Sequence, residues 1–361
     1  MHKLILLFTA TLLFATCGKT PEPTPPAPSG DTYFPSATGT WETTTPTSLS
    51  WNVSELDNLR SLLEEGDTRA FIVLVKGKIV IEEYFGKNLL NILPFTENAN
   101  WYWASAGKTL TGFAIGKAVE EGHLTLSEPT SQYLGTGWTS LTTEQEEQIT
   151  IRHQLTMTTG LDDTIDNSNT SPDKLVFKAT PGTRWAYHNA PYTLLQEVVT
   201  QAAGQPFEQY LKSRLTDEIG MKGEWRTVGN NHVYFSTARD MARFGLLILN
   251  DGKWKEKRLI NHEYLSEATS PSQGINNSYG YLWWLNGQST YMLPGTQTIF
   301  SGSLIPNAPD DMYCGLGANG QYLCIIPSKE MVMIRMGEDP DNSLAPIAFL
   351  NDIWEIMGKV L

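Results

Sequence analysis

The stretch Ser105-Ala106-Gly107-Lys108 places a hydroxyl group and an amine three residues apart at the start of an apolar pattern. Apolar residues recur after Lys108 at the period of an α-helix as far as Gly122, where the helix is expected to end. Residues three apart lie on one helical face, with Cβ atoms about 5–6 Å apart. The sequence therefore predicts Ser105 at a helix start, with Lys108 positioned to take the proton that a serine must lose to become a nucleophile.

A second polar group, Tyr187-His188-Asn189, follows the turn sequence Pro181-Gly182-Thr183-Arg184-Trp185. Of the 14 tyrosines, only Tyr187 has asparagine two residues later. A tyrosine considered alone is more often a buried residue whose hydroxyl has found a partner. Together with Ser105 and Lys108, however, Tyr187 completes a set of nucleophile, base and proton shuttle, which is typical of a hydrolase.

The chain contains another Ser-x-x-Lys string, Ser171-Pro172-Asp173-Lys174, within a polar stretch. Proline follows Ser171 at a first helical position, so Ser171 is expected to cap a short helix and to accept hydrogen bonds from backbone N–H groups. We therefore interpret Ser171 as structural and Ser105 as the reactive serine.

Several further motifs accompany these groups. They are Leu155-Thr-Met-Thr-Thr-Gly160, Ser236-Thr-Ala-Arg-Asp240, Phe244-Gly245, Tyr279-Gly-Tyr-Leu-Trp-Trp284 and Gly320-Gln321. The set resembles the β-lactamase-related serine hydrolases, which include class C β-lactamases, D-alanyl-D-alanine carboxypeptidases, family VIII esterases and 6-aminohexanoate-dimer hydrolases. The resemblance runs from about Trp51 to the C-terminus, and it is nearest in motif pattern to the last two groups.

The resemblance also implies a role for each site residue. Ser105 would be the acylated nucleophile, Lys108 its base partner, and Tyr187 the proton donor to the leaving group and the activator of the deacylating water. Asn189 would orient the substrate or Lys108. His188 is either a packing residue or, from its neighbours, a residue at the mouth of the site that touches the substrate.

One motif departs from the pattern of β-lactamases and peptidases. Those enzymes carry Lys-Thr-Gly or His-Thr-Gly on a strand beside the serine, and neither string occurs here. The corresponding segment, Gly315-Leu-Gly-Ala-Asn-Gly-Gln321, resembles the esterase and amide-hydrolase branch. It implies that Ala318, Asn319 and Gly320 form the oxyanion and substrate side of the site, with the N–H of Ala318 as second oxyanion donor. Its glycines are equally typical of a tight hairpin turn, and both interpretations can hold together.

Other function classes find little support in the sequence. No Gly-x-Ser-x-Gly elbow is present, and the six histidines show no His-x-x-x-His spacing, so we expect neither an α/β-hydrolase triad, nor a metal site, nor a cofactor. The net charge of −13 would repel nucleic acid, and no basic run or phosphate-binding loop occurs. The expected partner is a small-molecule ester or amide substrate, bound by a monomer.

The N-terminus predicts export and a lipid anchor. Lys3 precedes an apolar run too short to span a bilayer, and Phe14-Ala15-Thr16-Cys17 resembles a degenerate bacterial lipobox. Residues 1–16 would then be a lipoprotein signal peptide, and Cys17 would carry lipid on a bacterial membrane, facing the periplasm or the surface. Residues 17–40 include a Pro-rich run, which is typical of an extended tether. The alternative is an ordinary secretory signal with an incidental cysteine.

The coarse layout predicts an α+β fold of the β-lactamase/transpeptidase type, with an antiparallel sheet flanked by helices. Helix is predicted over 54–65, 241–249 and 346–357, and strands over 70–84 (a hairpin), 279–285, 312–317, 322–326 and 331–336. The hydrolase domain would cover 41–361, as an α/β lobe (41–107 and 271–361) and an inserted helical lobe (108–270). The site should lie between the lobes, with some of the tryptophans near the motifs lining an aromatic pocket.

Cys314 and Cys324 lie symmetrically about Asn319. If the hairpin pairs in that register, the two residues face each other. They would then form either a disulfide bracing the turn or a pair of small buried thiols.

Three functions remain open at this point. The first is a lipid-anchored serine esterase or amidase that forms an acyl-enzyme on Ser105. The second is an enzyme acting on β-lactams or D-alanyl peptides, for which another residue must supply the missing cation. The third is a non-catalytic binding lipoprotein of the same fold, which the intact set of Ser105, Lys108 and Tyr187 disfavours.

Overall fold

The structure of the protein, a computed structural model, describes residues 31–341 and 347–361. The predicted signal peptide, Cys17 and residues 18–30 of the predicted tether lie outside the described residues. The strands are β1 Thr68–Val75, β2 Lys78–Tyr84, β3 Trp101–Tyr102, β4 Gly223–Val228, β5 Asn231–Ser236, β6 Lys253–Trp254, β7 Lys257–Arg258, β8 Trp284–Leu285, β9 Thr290–Tyr291, β10 Phe300–Ser301, β11 Tyr313–Gly317, β12 Gln321–Ile326 and β13 Met331–Gly337.

Eleven α-helices lie within the same described ranges. They are α1 Leu56–Glu65, α2 Lys108–Glu120, α3 Ser131–Leu134, α4 Thr143–Glu146, α5 Ile151–Leu155, α6 Asn189–Ala203, α7 Phe207–Leu211, α8 Asp217–Ile219, α9 Ala238–Leu249, α10 His262–Ala268 and α11 Ile347–Val360. A π-helical segment, Lys212–Thr216, joins α7 to α8. Across these residues, no helix combines the length and the apolar character that crossing a membrane requires.

Both ends of the chain contribute to one antiparallel sheet of six strands, in the order β2-β1-β13-β12-β11-β8. The central strands are apolar at consecutive positions because both faces of the sheet are covered. Five successive residues of β1, Ala70 to Leu74, are fully buried. The predicted α+β fold, with helices against an antiparallel sheet, is confirmed.

Most predicted elements correspond to observed ones, and two regions differ. Residues 279–283 form a tight turn rather than a strand, since Gly280 donates to the carbonyl of Trp283 and Leu282 has a left-handed φ of 63°. The inserted segment also contains a hairpin, β4–β5, which turns at Gly229 with φ 60°. The consecutive residues Gly229-Asn230 are typical of a hairpin turn, and our prediction of a mainly helical segment did not take them into account.

Helix α9 belongs to the inserted segment in sequence, yet it packs on the six-stranded sheet. A Cβ atom on Gly245 would lie 2.6 Å from Val332 Cγ1 and 3.0 Å from Leu323 Cδ1, so the helix axis comes close to β12 and β13. The absence of a side chain at Gly245 permits this approach. At least this part of the inserted segment therefore packs directly on the sheet.

One row of paired residues crosses five strands near the end of the sheet where β2 finishes. The row is Glu83, Phe71, Arg335, Tyr322 and Leu316, on β2, β1, β13, β12 and β11. The β11–β12 turn and the segment that follows β2 both leave the sheet at this end.

Arg335, which is fully buried in this row, ties the end of the sheet together. Its guanidinium donates to the carbonyls of Asn319 and Gly320 in the β11–β12 turn, and also to Gly66 O, Glu338 O and the Thr68 hydroxyl. Burial lowers the pKa of Arg335 to about 10. The cation is stabilised by neutral oxygens in place of a carboxylate partner.

We predict that Arg335→Met lowers the free energy of unfolding by about 3 kcal/mol or more, because several buried carbonyl groups lose their donor together. Urea denaturation of the folded domain measures the change. Arg60→Met is the matched control, since Arg60 is an exposed arginine paired with Glu83 and its loss should cost less than about 1 kcal/mol. Equal stabilities of the two variants would contradict the role given to Arg335.

Candidate active site

Ser105 lies in a 3-10 turn, Ala104–Gly107, that runs directly into α2. Ala104 has a left-handed φ of 46°, a conformation that costs an alanine roughly 1–2 kcal/mol and is often found beside reactive groups. The turn brings the two polar side chains of the motif together. Lys108 Nζ donates to Ser105 Oγ over 2.8 Å.

Lys108 is 3% exposed, which is unusual for a lysine. Its Nζ also donates to Asn189 Oδ1 over 2.7 Å, and it lies 4.2 Å from the centre of the Tyr192 ring. These neighbours are neutral. Burial lowers the pKa of Lys108 to about 7, so a large share of the amine is unprotonated at neutral pH and able to accept a proton.

Tyr187 lies beside Lys108, whose Nζ is 5.1 Å from the centre of the Tyr187 ring. The same ring stacks on Trp284 at a centroid distance of 5.8 Å. Burial raises the pKa of Tyr187 well above its usual value, although a hydrogen bond with Ser105 lowers it in part. The phenol therefore keeps its proton at neutral pH. Tyr187 is suited to donating a proton, which leaves Lys108 as the group able to accept one.

Asn167, a residue that the sequence did not single out, fixes the orientation of Asn189. Asn167 Oδ1 accepts from both the backbone N–H (3.1 Å) and the side-chain Nδ2 (2.7 Å) of Asn189. Its own Nδ2 donates to the carbonyl of Tyr187 over 2.8 Å. With Nδ2 of Asn189 held in this way, Oδ1 must face Lys108. A polar loop gives no periodic signal, so the sequence pattern could not have identified this residue.

The β11–β12 turn forms the opposite wall of the site. Ala318 lines the cavity beside Ser105, while Asn319 and Gly320 shape the turn behind it. Asn319 has φ 61° and donates from Nδ2 to the Tyr102 hydroxyl, and Gly320 has φ 70°. The glycines that precede the turn have another role: a Cβ on Gly317 would lie 2.5 Å from the carbonyl oxygen of Trp103. Close packing of β11 on the Ser105 turn therefore requires glycine there.

The cavity at Ser105 has a volume of about 540 Å³. Its lining is formed by Ser105, Asp163, Thr164, Asn167, Ser168, Tyr187, Asn189, Trp284, Leu293, Pro294, Gly295, Leu316, Gly317, Ala318, Tyr322 and Ile347. Asp163 is the charged residue in this set, and its carboxylate is paired with Arg184 over 2.6 Å. No lysine or arginine belongs to this described lining.

His188 does not lie at the mouth of the site. It is 1% exposed and absent from the cavity lining, and neither ring nitrogen has a hydrogen-bond partner among the described residues. Side chains alternate along extended backbone, so Tyr187 and Asn189 face the cavity while His188 points away. Burial lowers the pKa of His188 to about 4, which keeps the ring neutral.

The other predicted features near the site have mixed outcomes. Among the tryptophans, Trp284 lines the cavity, whereas Trp101, Trp103 and Trp185 are fully buried and do not line it. Ser171 does precede a short 3-10 helix, but its hydroxyl makes no capping hydrogen bond, contrary to our expectation.

Lys174, the partner of Ser171 in the second Ser-x-x-Lys string, pairs with Asp173 rather than with the serine. In the described chain, no group of three or more His, Cys, Asp or Glu side chains is arranged to hold a metal ion.

Cys314 and Cys324 pair directly across β11 and β12, as the hairpin register predicted. Their sulfur atoms lie 3.0 Å apart and both residues are buried thiols. Of the two alternatives left open by the sequence, the structure contains the thiol pair.

Comparison with known proteins identifies the family. A family model described as Beta-lactamase matches residues 59–345, so the chain belongs to the Beta-lactamase family. An uncharacterised protein of Alkalihalophilus pseudofirmus is 27% identical over 295 residues, which cover 73% of this chain and 81% of that protein.

Two solved structures resemble the fold. "Putative 6-aminohexanoate-dimer hydrolase from Bacillus anthracis" has a TM-score of 0.68 at 20% identity, and the match covers 91% of this chain and 89% of that one. A structure named as a putative beta-lactamase from Bacteroides dorei has a TM-score of 0.65 at 17% identity, covering 86% of this chain and 99% of that one. At these identities the likeness shows the fold alone.

The Asn167 contacts predict a measurable effect on the reactivity of Ser105. In Asn167→Ala, the amide of Asn189 is free to rotate and Lys108 loses a fixed acceptor. We expect Ser105 to react with a fluorophosphonate probe about tenfold or more slowly. The pH at which reactivity is half-maximal should also fall, because the ammonium form of Lys108 is less stabilised.

Asn169→Ala is the matched control for this measurement. Asn169 lies in the same loop and hydrogen-bonds Asp166 without contacting Asn189. Its rate and pH profile should equal those of the unmodified protein. A wild-type profile in Asn167→Ala would show that Asn189 is oriented by something else.

Proposed function

We propose that this protein is a serine hydrolase that forms an acyl-enzyme on Ser105 and hydrolyses uncharged carboxylic esters or amides. The observation that supports this most directly is the contact between a buried Lys108 and Ser105 Oγ. A lysine whose pKa is lowered to about 7 by burial is a base that can function at physiological pH. The proposal agrees with membership of a family of serine hydrolases.

In the proposed acylation step, neutral Lys108 accepts the proton of Ser105 as Oγ attacks the carbonyl carbon. The new oxyanion would be bound by the backbone N–H groups of Ser105 and Ala318, which flank the cavity from two sides. Tyr187 then donates its proton to the departing oxygen or nitrogen, and the Lys108 ammonium returns a proton to Tyr187. The alcohol or amine leaves, and Lys108 is neutral again.

Deacylation follows the same path in reverse. Water enters the space left by the alcohol or amine and attacks the acyl carbon, and its proton passes by way of Tyr187 to Lys108. As the tetrahedral intermediate collapses, Ser105 Oγ is expelled and recovers a proton from Lys108. Each proton that is taken up is returned, so the cycle needs no cofactor.

The cavity favours uncharged substrates. Its described lining contains no lysine or arginine, and the one carboxylate in it, Asp163, is already paired with Arg184. The absence of Lys-Thr-Gly and His-Thr-Gly removes the usual partner of a penicillin or peptide carboxylate. The apolar surface of Trp284 and Leu293 suits an acyl or alcohol group that is itself apolar.

The two alternative functions have weaker support. A β-lactam or D-alanyl peptide substrate would place its carboxylate in a cavity without a described cationic residue. A non-catalytic binding role would leave the buried lysine and its contacts without purpose, although burying a lysine is costly. We also propose that the chain is exported and lipid-anchored through Cys17, which follows from the sequence around that residue.

Turnover of neutral and anionic substrates tests the proposed function. We predict that p-nitrophenyl acetate or butyrate exceeds a chromogenic cephalosporin in kcat/KM by roughly tenfold to a hundredfold, the worth of one missing charge-assisted hydrogen bond. Ser105→Ala should abolish ester turnover and probe labelling, whereas the matched control Ser171→Ala should retain both. Cephalosporin turnover equal to that of the best ester would overturn the substrate assignment.

The pH dependence tests the assignment of the base. The active form of Lys108 is the neutral amine, so kcat/KM for an ester should rise with pH and reach half of its maximum near pH 7. His188→Ala should preserve this limb, because burial already keeps His188 neutral above a pKa of about 4. If the limb disappears in His188→Ala, a histidine rather than Lys108 is the titrating group.

A further inference from the structure

The loop that connects β2 to β3 exposes several large apolar side chains. Residues 86–94, which we call the apolar loop, read Gly-Lys-Asn-Leu-Leu-Asn-Ile-Leu-Pro. Leu89, Leu90, Ile92 and Leu93 are between 42% and 74% exposed, and they make up four of the ten exposed large apolar side chains in the described chain. A contiguous group of exposed apolar side chains is typical of a site that binds a protein or a membrane.

Hydrogen bonds within the apolar loop define its shape. Asn88 Oδ1 accepts from the backbone N–H groups of Ile92 and Leu93, and the backbone of Asn88 donates to the carbonyl of Leu93. At the base, Phe95 donates from its backbone to Gly86 O, and its ring meets Trp101 at 5.6 Å. These hydrogen bonds hold the loop in one shape, and its remaining backbone groups can stay hydrated if its apolar side chains enter only the interfacial layer of a membrane.

The loop leaves the sheet at the same end as the β11–β12 turn, which forms one wall of the site. The row that crosses the sheet there runs from Glu83, three residues before the loop, to Tyr322 and Leu316, which line the cavity. Four strand spacings separate β2 from β11, or about 19 Å. A surface that binds the apolar loop would therefore face the end of the sheet at which Tyr322 and Leu316 line the cavity.

The shape and charge of the loop favour lipid over protein as its partner. The exposed leucines and isoleucine lie within five consecutive residues, and a lipid surface requires no complementary pocket. Lys87 is the single charged residue of the loop, in a chain of net charge −13, and its cation suits anionic headgroups. Glu97, beyond the loop, is the nearest acid in the following sequence.

The chain that precedes the described residues has the length to allow this contact. The first described residues enter at the opposite end of the β1–β2 hairpin, where Tyr33 donates to the carbonyl of Lys76. Strand β2 spans about 23 Å from there to the apolar loop. Residues 17–30 number fourteen, and a Pro-rich chain of that length reaches about 40 Å. A lipid on Cys17 and the apolar loop can therefore contact one membrane together.

We propose that the apolar loop, residues 86–94, inserts into a lipid surface and holds the active-site end of the protein against it. The insertion stands on the exposed loop and its position. Its consequence, access to esters or amides dissolved in the membrane, rests on the proposed function of Ser105.

Insertion is tested with an environment-sensitive fluorophore on the loop of the full chain. The probe is NBD attached to Ile92→Cys in a Cys17→Ser background, where Cys314 and Cys324 are 3% and 0% exposed and so shielded from labelling of the folded protein. Vesicles of phosphatidylglycerol and phosphatidylethanolamine should shift the emission to the blue, and lipids with a quencher in the acyl chains should quench it. NBD at Val228→Cys, an exposed apolar position on the β4–β5 hairpin, should do neither.

Activity provides the second arm. Leu90→Asp combined with Ile92→Asp should reduce hydrolysis of a long-chain ester in vesicles about tenfold or more, while hydrolysis of soluble p-nitrophenyl butyrate is unchanged. If soluble ester is not hydrolysed by any form, the proposed function fails and the fluorescence result still decides insertion.

Two results would overturn insertion. One is equal vesicle response at positions 92 and 228. The other is a blue shift at position 92 that depends on protein concentration without lipid, which would make the loop an interface between two copies of the chain.

Discussion

The burial of Lys108 is the constraint on which the arrangement of the site depends. A buried ammonium is unstable unless it is well paired, and the contacts of Lys108 with Ser105, Asn189 and Tyr192 are with neutral groups. The outcome is a pKa near 7 rather than an ion pair. A carboxylate in the place of Asn189 would stabilise the ammonium and remove the base. The neutral amide, whose orientation Asn167 fixes, keeps the amine available.

The β11–β12 turn, which forms the wall opposite Lys108, depends on another buried basic residue, and this one keeps its charge. Arg335 stays charged, and it uses that charge to hold backbone carbonyls of the β11–β12 turn in place. Gly317 then allows the strand to lie against the Ser105 turn. Lysine loses charge easily on burial and arginine does not, so each residue type suits its position. The site is assembled where these two walls meet.

Sequence patterns predicted the parts of the protein that depend on local spacing. The Ser105–Lys108 contact follows from their three-residue spacing across a helical turn, here a 3-10 turn that runs into α2, and the Cys314–Cys324 pairing follows from strand register. Contacts that depend on loops were not predictable, because the tertiary fold alone brings Asn167 beside Asn189. For His188 the sequence left two alternatives, a packing residue or a residue that touches the substrate, and its burial outside the cavity lining agrees with packing. The alternation of side chains along extended backbone accounts for this position.

The electrostatics of the site and of the surface around it support the proposed preference for uncharged substrates. A carboxylate entering the cavity would give up its hydration without meeting a lysine or arginine in the described lining. An uncharged ester or amide loses far less on leaving water, and it gains from contact with Trp284 and Leu293. The apolar loop at the same end of the sheet extends this preference to the surface, because neutral apolar substrates concentrate in lipid. A neutral base, a cation-free cavity and an apolar approach thus favour the same chemistry, although each arises from a different part of the chain.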